Sequence, residues 1–71
     1  MIDYSTFNED SLLARLADLR QDHADFDAAI QALAAVPVPD LLVIGRLKRR
    51  KLAIKDEMVR VEAYLNPDII A

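Results

Sequence analysis

Two prolines one residue apart, in Val36-Pro37-Val38-Pro39-Asp40, split this chain into two stretches that cannot form one helix. Each proline ring fixes its own φ, removes an N–H donor and pushes the residue before it out of helical geometry. Asp40 then stands ready to cap whatever follows. On both sides of the break the apolar residues keep a heptad rhythm. Before it come Leu12, Leu16, Leu19, Phe26, Ile30 and Leu33, with His23 filling the gap, at spacings of 4, 3, 4, 3, 4 and 3. After it come Ile44, Leu47, Ile54, Met58, Val61 and Leu65, with Lys51 filling the gap, at spacings of 3, 4, 3, 4, 3 and 4. Each series is the seam of an amphipathic helix.

The spacing predicts helix 1 over about residues 7–35, a Pro-containing turn over 36–40, helix 2 over about 41–65 and a short tail over 66–71. Thr6-Phe7-Asn8-Glu9 reads as a capping box for the first helix. Asn66-Pro67 stops the second. Gly45 falls off the seam and reads as a tolerated glycine. A connection this short makes the helices antiparallel neighbours. The expected fold class is therefore all-α: a coiled-coil-like antiparallel two-helix hairpin, one domain over residues 1–71. Seam residues meet where their numbers sum to about 77, so Leu19 faces Met58, Leu16 faces Val61 and Phe26 faces Lys51.

Size makes a partner the natural expectation. Seventy-one residues with no cysteine and one histidine offer neither disulfides nor a zinc cluster to hold a small fold together. Chains this short usually need such a staple or a second chain. Leu13, Leu41, Leu42, Leu52 and Val59 fall off the seam and would stand in water on a lone hairpin. An interaction face of Leu41, Leu42, Leu52 and Val59 is expected. It would serve a homo-oligomer, a dimer forming a four-helix bundle being favoured, or a larger protein complex.

Charge divides with the helices. Residues 1–36 carry seven acids and two bases, whereas residues 37–71 carry five acids and seven bases. Asp27 is expected to pair with Lys48, while Arg20 near Lys55 and Asp22 near Glu57 would be like-charge neighbours. His23, Asp27 and Lys51 interrupt both seams together. They read as a polar layer fixing register, since two potential ligands make a poor metal site. Arg46-Leu47-Lys48-Arg49-Arg50-Lys51 gathers five bases in six residues. A solvated helix face, partly shielded by Asp22, Asp25 and Asp27, is the simplest reading. Arg46, Lys48, Arg49 and Arg50 would otherwise form a patch for an anionic partner, nucleic acid included.

Catalysis finds no footing. Ser5, Thr6 and Ser11 have no histidine near them in sequence, and there is no phosphate-binding glycine loop. A thin hairpin is expected to lack a concave pocket, and no catalytic residue, cofactor or metal is expected. The longest apolar passage, residues 32–44, is interrupted by Pro37, Pro39 and Asp40, so no membrane partner is expected. The opening Met1-Ile2-Asp3-Tyr4 has no basic leader, and the expected compartment is the cytoplasm.

Leu47-Lys48-Arg49-Arg50-Lys51-Leu52-Ala53-Ile54-Lys55-Asp56-Glu57-Met58 resembles the signature of the small bacterial YdcH-like proteins. His23-x-x-Phe26-Asp27-x-x-Ile30 is similar to their upstream pattern, with Phe26 where leucine is usual. The likeness covers residues 16–62. It implies a helical hairpin that tends to assemble and implies no activity, since that family is a domain of unknown function. Hairpin geometry accounts for nearly every motif residue except Asp56, which is left exposed.

Overall fold

A computed structural model describes residues 2–67. It contains one 3₁₀ turn, Tyr4–Thr6, and two helices, α1 over Glu9–Ala34 and α2 over Leu41–Leu65. The expected tail lies outside the described residues beyond Pro67. The two helices pack side by side as an antiparallel hairpin, 46 Å long and little more than 20 Å across. The all-α hairpin expected from the two seams is what the chain forms.

Both helices start where a side chain can take up free N–H groups. Asp40 accepts from Leu42 and Val43, each at 3.1 Å, and α2 begins at the next residue. The start of α1 corrects the sequence reading. Its cap is Asn8, whose Oδ1 accepts from the Ser11 N–H at 2.8 Å. Thr6 is occupied in the 3₁₀ turn. That turn is set by Asp3, which accepts from the Ser5 N–H at 2.9 Å; this bond holds the Asp3 carboxyl below its usual range. With Asn8 as cap, position N3 is Ser11 rather than a glutamate, so no capping box forms. Phe7 before the cap and Leu12 in the following turn instead stand in the positions of a hydrophobic staple, and both belong to the core.

The heptad seams supply that core. Leu12, Leu16, Leu19, Met58 and Val61 are buried in one cluster, with Ile54 and Leu65 packed against it. This grouping agrees with the expected meeting of Leu19 with Met58 and Leu16 with Val61. Ile30 and Ile44 are buried nearer the turn, outside that cluster. The remaining seam positions, His23, Phe26, Leu33, Leu47 and Lys51, are half-buried.

Tyr4 has no place in either seam, yet it is only 1% exposed. The 3₁₀ turn folds it over the open end of the hairpin. Its ring meets Phe7 edge-on at 5.0 Å and Tyr64 at 6.4 Å, and the Arg60 guanidinium lies 5.8 Å from its centroid. Arg15 Nε donates to its hydroxyl at 3.2 Å, so the one polar atom brought in with the ring has a partner. Among the described residues no buried side-chain polar atom is left without one.

Candidate functional site

Of the three residues read as a polar layer, two bond directly. Lys51 Nζ donates to Asp27 Oδ1 at 2.7 Å across the seam. Asp27 therefore pairs with Lys51 and not with Lys48. The seven-residue seam brings Lys51 towards α1, whereas Lys48 is turned about 60° further round its helix and stays exposed. The Lys51 ammonium holds the Asp27 carboxyl below its ordinary value of 3.8, with smaller help from the charge of His23 one turn earlier and from Gln31 Nε2 at 3.2 Å. His23 is half-buried. Among the described residues no three of His, Cys, Asp or Glu gather as metal ligands would.

The second cross-helix ion pair was not anticipated. Arg15 Nη2 donates to Glu57 Oε2 at 2.6 Å, and Arg60 stands 3.9 Å from the other Glu57 oxygen. Glu57 thus sits between two cations, which replaces the like-charge neighbour expected from Asp22. Arg15 is one helical turn from Leu19 and Leu12, so it leans over the seam where Asp22 does not. Only 20% of the Glu57 side chain is exposed, which lessens solvent screening of this network.

The two ion pairs fix which flanks of the helices form each broad side of the hairpin. At about 100° per residue, Leu13 shares the Asp27 flank of α1, and Leu41, Leu52 and Val59 share the Lys51 flank of α2. Since Asp27 and Lys51 touch, these four exposed apolar residues occupy one side. Leu42 and Tyr64 turn towards the other, with Arg15 and Glu57. Of the four residues named for an interaction face, Leu41, Leu52 and Val59 therefore share one side, and Leu42 stands apart. Leu41 is 76% and Leu52 63% exposed, the reverse of their hydrophobic character.

Arg46, Lys48, Arg49 and Arg50 are exposed and have no ion-pair partner among the described residues. The expected shielding by Asp22 and Asp25 is not formed; Asp25 instead accepts from Gln21 at 2.9 Å on its own helix. The expected lack of a pocket is also corrected. A crevice of about 520 Å³ opens between the N-terminal segment and the end of α2, lined by Ile2, Asp3, Tyr4, Arg60, Ala63 and Tyr64. It exists because the N-terminal turn crosses α2, which the seam pattern does not encode. No helix among the described residues is long and apolar enough to cross a membrane.

No curated protein and no solved structure matches this chain. A family model does, over residues 16–62, the span that holds both seam interruptions, the basic run and the resemblance to YdcH-like proteins. The chain belongs to the DUF465 family, whose members are described as proteins of unknown function.

Proposed function

We propose that this chain is a non-enzymatic interaction module of the cytoplasm, a helical hairpin that binds itself or joins a protein complex through its exposed apolar helix faces. One observation carries the reading: Leu41, Leu42 and Leu52 are each more than 60% exposed on a helix whose seam is already satisfied by α1. Fully burying one such side chain stabilises an assembly by roughly 1.5–3 kcal/mol, so burying several of them favours a covered state. A homodimer is the preferred form, because a small core gains most from a second copy. Light scattering and thermal melts across a concentration series test this. The expected result is a mass of two chains and a melting temperature that rises with concentration, both lost in Leu52→Asp. A single-chain mass with a constant melting temperature overturns it.

The unpaired Arg46, Lys48, Arg49 and Arg50 favour a second reading, a nucleic-acid-associated protein. It requires binding that weakens steeply with salt and a smaller salt slope when Arg49 and Arg50 become alanine. Absence of retention on DNA or RNA at low salt removes it.

A further inference from the structure

Gly45 has no reason within this chain to be a glycine. It lies inside α2, it does not adopt positive φ, and a Cβ built on it meets nothing within 4 Å. Glycine is among the poorest residues for a helix interior, so the position gives up helix propensity without any gain in the hairpin. It lies on the stripe of α2 turned away from α1. That stripe runs Leu41, Gly45, Lys48, Leu52, Asp56, Val59, Ala63, within an arc of about 80°. Its spacings are 4, 3, 4, 4, 3 and 4, the same in both directions from Leu52.

We infer that this stripe is a two-fold interface at which α2 packs antiparallel on α2 of a second copy, centred on Leu52. The inference rests on the self-association proposed above and names the face that carries it. Reversing the stripe about Leu52 pairs each residue with a complement. Leu52 meets Leu52 of the second copy. Gly45 meets Val59, and Leu41 meets Ala63, so each large side chain faces a small one and the backbones can approach closely. Lys48 meets Asp56, an exposed residue of opposite charge that the hairpin itself leaves unused.

The charge along α2 selects the antiparallel direction. Five bases lie in residues 46–51, and all three acids of the helix, Asp56, Glu57 and Glu62, follow later. Parallel pairing would set the basic run against itself. Antiparallel pairing sets it against residues 53–58, where Lys55 is offset by Asp56, and brings Arg49 beside Asp56 of the other copy. An isologous contact of this kind closes after two chains.

The interface is tested on the full chain by sedimentation equilibrium, with circular dichroism to check the fold. Gly45→Leu replaces a poor helix former with a good one, so helix content and melting of the hairpin hold or rise. The interface nevertheless requires dimer dissociation to become at least about tenfold easier. Lys48→Asp and Asp56→Lys each weaken the dimer, and the double variant restores it by re-forming the pair with reversed sign. Because the chain lacks cysteine, Leu52→Cys gives a clean second readout. Oxidation links it into a dimer, whereas Gln21→Cys on the outer face of α1 does not cross-link. A wild type that stays monomeric overturns both this interface and the self-association proposed above. A wild-type dimer that tolerates Gly45→Leu and fails to link through Leu52→Cys overturns the interface alone.

Discussion

The two ends of this hairpin are built on the same heptad rhythm but closed in different ways. At the open end, away from the turn, Tyr4, Leu12, Leu16 and Val61 form a buried cluster, and Arg15 and Arg60, both beside Glu57, meet the inserted tyrosine. At the turn, Ile30 and Ile44 are buried, while Phe26, Leu33 and Leu47 remain partly wet and Val38, Leu41 and Leu42 are exposed. Two helices side by side can cover only one face of each other. The open end has a third element, the 3₁₀ turn, to close it. The turn end has none, so its apolar side chains stay exposed.

This difference gives a ranking of substitutions. Tyr4→Ala removes a fully buried aromatic ring and leaves Arg15 Nε without its acceptor. By comparison with other buried aromatic truncations it should destabilise the chain by about 3 kcal/mol. Ile30→Ala at the turn end should remove about 2 kcal/mol, because neighbouring side chains and water can occupy part of the space. Urea unfolding at one fixed protein concentration measures both. Finding the Ile30 variant the less stable of the two would show that the turn end is the better-packed one.

The next effect separates the observed start of α1 from the one read in sequence. Asn8→Ala should destabilise the open end by about 1 kcal/mol, whereas Thr6→Ala should change stability by less than about half of that. Equal losses would place both side chains in the cap.

The smallest effect belongs to the half-buried Asp27–Lys51 pair and depends on pH. Asp27 titrates below its ordinary value in the fold because Lys51 favours its charged form. Its contribution is therefore present above the unfolded-state value and disappears as pH falls through the lowered native one. The melting temperatures of wild type and Asp27→Asn should differ slightly at neutral pH and converge as pH falls below 3.8. A gap that persists in strong acid would mean that Asp27 acts through its packing and not its charge.

Much of this architecture was legible because it is periodic. The seam residues, the turn at Pro37 and Pro39, the Asp40 cap and the exposure of Leu41, Leu52 and Val59 follow from counting in sevens. The charge partners were not legible to the same degree. A long side chain on a flank reaches several positions, so Asp27 found Lys51 instead of Lys48, and Glu57 found Arg15. The role of Tyr4 left only a faint trace, Phe7 before Asn8 with Leu12 in the next turn. An isolated aromatic outside the helices has no period to betray which way it folds.

The sequence by itself determined the two helices, the break between them and the surface each turns inward, since proline sterics and apolar spacing act locally along the chain. Only the tertiary structure decided how the open end is closed and which flanks share a side, and with them which apolar residues form one face. Those outcomes depend on where Tyr4, Arg15, Glu57, Asp27 and Lys51 meet in space, through contacts between residues far apart in the chain.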